Sequence, residues 1–198
     1  MKKILVVFCL LTLSAFASEV GNFSENSVIM KELYGSNTIN DAKLEKLKAK
    51  NLDLSAQCLV EQVKKGSLEN VNLLLQNGID PNKGYVGEYA LYYAAKSDNL
   101  IMTKLLIAHG AKPDKGFYSE LFEAVKNKNT QMAKLLLKNG ANVNYKDAIT
   151  NRTILYYSLK NNMHDLSKEL IKSGATADMY SYRYIQKHKL QYLIPQTN

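Results

Sequence analysis

Apolar and polar positions alternate along this chain in a pattern that returns four times. In the first half of each unit, apolar and small residues recur at helical spacing, as in Tyr89-Ala90-Leu91-Tyr92-Tyr93-Ala94-Ala95. In the second half a leucine-rich block, such as Lys104-Leu105-Leu106-Ile107-Ala108, ends on a glycine. Leu59, Leu91, Leu121 and Leu155 are 32, 30 and 34 residues apart, and Gly78, Gly110, Gly140 and Gly174 repeat the same three intervals. Two independent anchors with one series of offsets define an internal repeat. Each unit is predicted to be two short helices packed through their apolar faces. The closing glycine suits a left-handed C-cap. Asp80-Pro81-Asn82-Lys83-Gly84 and Lys112-Pro113-Asp114-Lys115-Gly116, which follow the first two glycines, have turn chemistry.

The ends of the array should be capped, because a terminal unit lacks one neighbour and needs a polar outer face. Residues 24–34 and 41–50 read as two helices of a degenerate N-terminal capping repeat, closed by Asn51. Tyr184, Ile185, Leu190 and Leu193 lie at near-helical spacing and predict a capping helix over Tyr180–Leu193.

These blocks resemble ankyrin repeats, units of about 33 residues built from a β-turn and two helices with a T-P-L-H-x-A signature. Tyr89 to Ala95 comes nearest to that signature, and Asn142-Val143-Asn144 follows the third glycine as in the family. The resemblance covers about Ser55 to Asp178. It implies an all-α repeat solenoid of helix-turn-helix units with β-turn or hairpin connections. The signature proline is missing from every repeat, and Val60, Tyr92, Phe122 and Tyr156 stand where the family has histidine. The family's Thr–His hydrogen bond is therefore lost, and aromatic packing is expected to replace it in three repeats. The expected organisation is a signal peptide over 1–17, a linker and degenerate capping repeat over 18–54, four ankyrin repeats over 55–179, and a capping helix and tail over 180–198.

The first residues change the picture of where such a protein works. Lys2 and Lys3 precede an apolar stretch from Ile4 to Leu13, and Ala15-Phe16-Ala17 offers a small-x-small cleavage site. This reads as a secretory signal peptide cut after Ala17, so export to the periplasm or the exterior is expected, with no membrane span after cleavage. Cleavage removes Cys9 and leaves Cys58 as the single cysteine, best read as a buried structural thiol. It also lowers the formal charge from +8 to +6. That basic balance favours an acidic partner. The positive charges are spread along the chain without long runs, so nucleic acid is not expected as the partner.

No catalytic or cofactor-binding constellation is visible: there is no glycine-rich phosphate loop, histidine pair at metal spacing or nucleophile elbow. His109 precedes a repeat glycine, and His164 and His188 read as isolated and exposed. The chain is therefore expected to be a monomeric protein–protein interaction module without cofactor or metal, and not an enzyme. An inhibitor or immunity-type protein for an exported enzyme, or an accessory protein to a periplasmic stress enzyme, are the alternatives.

The resemblance places partner binding on the turns and first helices, which line a concave face. The residue after the small pair of each first helix is Lys64, Lys96, Lys126 and Lys160, a ladder that also suits the helix dipole. Tyr85, Tyr118 and Tyr145 fall in or beside the turns, and Tyr93 and Tyr157 take the exposed x of the signature. Tyrosine is a common hot-spot residue. Of the pairs Tyr92-Tyr93 and Tyr156-Tyr157, one ring is expected to point inward and one toward the concave face. These lysines and tyrosines are the candidate binding residues.

Overall fold

A computed structural model describes residues 56–84 and 87–194 of the chain. The expected signal peptide, the N-terminal capping repeat and Tyr85 lie outside the described residues, which all belong to one compact unit spanning Ser55–Asn198.

Nine α-helices occur among the described residues, with no β-strand; an isolated antiparallel bridge pairs Lys146 with Thr153. Four repeats supply α1 (Ala56–Lys64) and α2 (Leu68–Gln76), α3 (Ala90–Lys96) and α4 (Leu100–Ala108), α5 (Glu120–Lys126) and α6 (Thr130–Lys138), and α7 (Ile154–Lys160) and α8 (His164–Lys172). Helix α9 (Met179–Lys187) and a 3-10 turn (Gln191–Leu193) close the array. The first helices, with α9, stack side by side in one row, and the second helices form another row behind it. The first row is packed more closely than the second. Small buried residues at Ala90, Ala94, Ala124 and Ser158 permit this close approach.

The repeating leucines build the core. Leu59, Leu91, Leu121 and Leu155 are buried, as are Leu74, Leu106, Leu136 and Leu170 of the second helices. Each such side chain contributes about 1.5–3 kcal/mol by leaving water. The first helices of the later repeats have only seven residues. Isolated helices shorter than about 12 residues are marginal in water, so these depend on their buried faces. Cys58 is buried among them and is a free thiol, its pKa pushed up to about 11 by burial.

Both helices of each repeat stop in the same way. After the second helix, Gly78, Gly110, Gly140 and Gly174 adopt φ between +85° and +90°, and the next residue's N–H donates back to the last turn, as in Ala111 N–H to Leu106 O at 3.0 Å. After the first helix, Gly66, Asp98, Lys128 and Asn162 stand in the left-handed region too, at φ between +57° and +73°. Asn99 and Asn129, one residue further on, then cap the second helix by accepting from Met102 and Met132 N–H.

The C-terminal cap differs from the continuous helix expected. Helix α9 ends at Lys187, Lys189 turns left-handed at φ +55°, and Leu193 returns on a 3-10 turn. Ile185, Leu190 and Leu193 still pack together against Leu155 and Leu159. The break lets all three reach the last repeat.

Candidate partner-binding face

The first helices carry an aromatic seam, which replaces the missing signature histidines. Tyr92 stacks on Tyr118 of the next turn, with centroids 5.0 Å apart. Phe122 packs on Tyr145 at 5.5 Å and edge-on against Tyr157 at 5.1 Å. Tyr156 meets Tyr157, Tyr180 and Tyr184 edge-on. The seam ends where Tyr184 stacks on exposed His188 at 4.2 Å. Three of the four signature positions, Tyr92, Phe122 and Tyr156, thus pack forward through rings onto the element that follows; the fourth, Val60, is buried and carries no ring.

This seam overturns the expected inward–outward split of the tyrosine pairs. Tyr92, Tyr93, Tyr156 and Tyr157 are all half-buried. Neighbouring rings on one helix pack edge to face, at 70° for Tyr92–Tyr93 and 83° for Tyr156–Tyr157, so each covers part of the other. Tyr93 and Tyr157 are therefore not freely exposed, and their hydroxyls are engaged. Tyr93 donates to Glu88 Oε1, and Tyr157 donates to Asp147 and bonds the Thr150 hydroxyl at 2.9 Å. Tyr145 is half-buried, while Tyr118 stays 56% exposed. Burial raises the pKa of the Tyr92 hydroxyl to about 12.

The four ladder lysines follow the row of first helices, but their charges are not equal. Lys64 Nζ donates to Glu88 Oε2 at 2.7 Å, lies 3.6 Å from Glu61 and sits 4.2 Å from the Tyr93 ring centre. Burial opposes its charge, yet the bond to Glu88 and the two carboxylates outweigh that and raise its pKa. Burial likewise opposes ionisation of Glu88, but the bonds from Lys64 and Tyr93 lower its pKa. Lys126 pairs with Glu123 at 3.2 Å and lies over Phe122. Lys96 rests over the Tyr92 and Tyr93 rings at 5.5 and 5.9 Å. Lys96 and Lys160 make no ion pair among the described residues. The ladder is thus two neutralised rungs alternating with two open ones. Glu61 and Glu123, three residues before their lysines, were readable as helical partners, whereas Glu88 arrives from the turn.

The residues beside the ladder lysines tie repeats together. Asn161 Nδ2 donates to Val125 O at 2.8 Å, and Asn127 Nδ2 to Ala95 O at 3.3 Å. In the turns, Asn82 donates to Gly110 O and accepts from Lys112 N–H, both at 2.8 Å. Asn144 repeats this with Gly174 O and Thr176 N–H. Glycines tighten the first turn pair further: a Cβ on Gly84 or Gly116 would lie 2.6 or 2.9 Å from the ring of Tyr89, which fills the space between them. The turns therefore stack at fixed register and present Phe117 and Ile149, 84% and 93% exposed, at their tips.

Among the described residues, no group of three or more His, Cys, Asp or Glu side chains is placed to hold a metal, and no helix is long and apolar enough to cross a membrane. His164 is half-buried, against the exposed position expected, because it opens α8 with Nδ1 3.4 Å from the Tyr192 hydroxyl.

Paired helices joined by stacked, protruding turns define a helical repeat protein of the kind that presents a modular surface to other macromolecules. The ankyrin repeat family model, which spans three copies, matches residues 59–147 and 121–194. The chain belongs to the ankyrin repeat family. A fowlpox virus ankyrin repeat protein is 31% identical over 121 residues, 61% of this chain and 29% of that protein. A second fowlpox virus ankyrin repeat protein is 36% identical over 107 residues, 50% of this chain and 15% of its own length. Human ankyrin repeat and SOCS box protein 14 is 36% identical over 76 residues, 38% of this chain and 13% of its own. The chain spans less than a third of the length of these relatives. Ankyrin repeats are generally protein–protein interaction modules.

Proposed function

We propose that this chain is exported and binds a folded partner protein with an acidic surface on the row of its first helices. The observation that carries the reading is the open cation Lys96 on a pre-packed aromatic seam, with a second open cation, Lys160, at the end of another first helix of the same row. Rigid rings offer contact area at low entropy cost, and an unpaired lysine beside them can meet a carboxylate without first losing one. Tyr118, Phe117 and Ile149 extend the face along the turn tips, and Tyr93, Tyr145 and Tyr157 belong to the same side. The signal-peptide pattern at the N-terminus supports a periplasmic or secreted setting, and a monomer suffices for this mode of binding.

Affinity capture from native envelope extract, with a Lys96→Glu/Lys160→Glu chain as control, tests this. Expected is a partner held by the wild type and lost with the double variant. Identical captures with both baits would remove the lysine ladder from the interface. Failure of the chain to reach the envelope would remove the export reading.

A further inference from the structure

The polar outer face at the C-terminal side of the last described repeat is interrupted by large apolar and aromatic side chains. Met179 is 57% exposed, Tyr182 54%, Tyr192 63% and Tyr180 37%. Met179, Tyr182, Arg183 and Gln186 follow the i, i+3, i+4, i+7 spacing of one helical stripe, and all are exposed. At the edge of this surface lies Arg152, from the turn that precedes α7. Its guanidinium sits in a corner between two rings set 71° apart, 4.7 Å from the centre of Tyr156 and 4.9 Å from that of Tyr180. One Nη donates to the Tyr156 hydroxyl at 3.2 Å. The Nε–H is buried with no acceptor, and Arg152 makes no ion pair among the described residues.

We infer that this end, built around Arg152, Tyr180 and the outer stripe of α9, is a second docking surface that takes an acidic, partly apolar segment of a partner protein. The rings hold the guanidinium in place, so little side-chain entropy remains to be lost when a carboxylate meets its free edge. The surroundings reinforce the sign. Asp178, which caps α9, has its carboxylate taken up by donors from Thr153 and Ser181; beyond it, from Met179 to Asn198, there is no Asp or Glu, while Arg183, Lys187 and Lys189 all add positive charge. A second copy of the chain docking through the same end would bring these cations together, which disfavours a symmetric end-to-end contact. Exposed tyrosine and methionine beside arginine match the composition of interface centres.

The inference is separate from the first-helix reading, and one titration tests it apart from that reading. The full chain, labelled with nitrogen-15, is titrated with a short acetylated and amidated peptide of glutamates around a central phenylalanine. The Arg152 Nε–H and Tyr180 backbone resonances are followed by NMR. Expected are saturable shifts at both residues, weakened at least about fivefold by Arg152→Gln and by Tyr180→Ala. Lys96→Glu/Lys160→Glu should leave these shifts unchanged even where it abolishes partner capture. Absence of shifts at these residues up to about 1 mM peptide overturns the inference. So do shifts that persist undiminished in both single variants. Tighter binding of a thymidine oligonucleotide at the same residues would also overturn it, assigning the surface to nucleic acid.

Discussion

The turn between the second and third repeats and the turn between the third and fourth perform one task with different atoms. In the later turn, Asn144 donates to Gly174 O at 3.1 Å and accepts from Thr176 N–H at 2.8 Å, so a single neutral amide locks two repeats. In the earlier turn the equivalent residue is Asp114. It accepts from Asn142 N–H but has no donor for the next repeat's carbonyl, and its own φ is +59°. Its N–H donates to Glu120 Oε2 at 2.9 Å, and Glu120 occupies the signature proline position with only 1% exposure. Burial first, with the nearby Asp114 charge adding to it, raises the Glu120 pKa to about 7. Burial raises that of Asp114 as well. The same stacking geometry is thus reached in one turn by satisfied neutral groups and in the other by two crowded carboxyls. Geometry is shared across repeats; its dependence on pH is not.

The largest expected effect follows from Glu120. Folded, it holds its proton up to about pH 7; unfolded, it releases it near its ordinary value of 4.5. Between these values the folded state binds more protons, so stability should fall as pH rises from about 4.5 to about 7, by on the order of 1–3 kcal/mol. Glu120→Gln keeps an acceptor for Asp114 N–H and should flatten this slope. Denaturant melts at pH 5 and 7.5 check it, and an equal slope in the variant would show that the decline arises elsewhere.

Exchanging the two turn residues sharpens the contrast. Asn144→Asp removes the donor to Gly174 O and adds a charge, and should cost about 1–2 kcal/mol. Asp114→Asn restores a donor and relieves Glu120, and should gain about 0.5–1 kcal/mol at pH 7.5 and less at pH 5. Chemical denaturation of the two variants should therefore move the midpoint in opposite directions. Movement in the same direction would mean that the turns are not equivalent.

The smallest effect concerns the helix ends. Lys128 stands at φ +58° where the first repeat has Gly66. Lys128→Gly should stabilise by up to about 1 kcal/mol, because a left-handed lysine is strained. Asp98→Gly should gain less, since Asp98 also accepts from Asn129 Nδ2 at 2.9 Å. Thermal midpoints of the two variants rank these gains.

Much of this architecture could be read before any coordinates. The leucine and glycine intervals located all eight repeat helices, and the aromatic residues at the histidine positions pointed to the seam. The left-handed ends of the first helices were partly readable, because Asp98, Lys128 and Asn162 stand at the same intervals after Gly66. The candidate site was less legible. Lysine and tyrosine positions followed from repeat register, but the neutralisation of Lys64 needed Glu88, 24 residues away. The corner that holds Arg152 needed Tyr180, 28 residues away, and nothing local announces such a pair.

The sequence by itself determined the period, the helix pair, the glycines that end the second helices and the buried leucines, because these follow from local backbone preference and from which face must leave water. Only the tertiary structure decided which lysines remain open, which tyrosines are free and which carboxyls crowd. Those depend on how side chains from adjacent repeats divide a shared space. Repeat register brings them close, but their packing and electrostatics settle charge and exposure after the backbone is stacked.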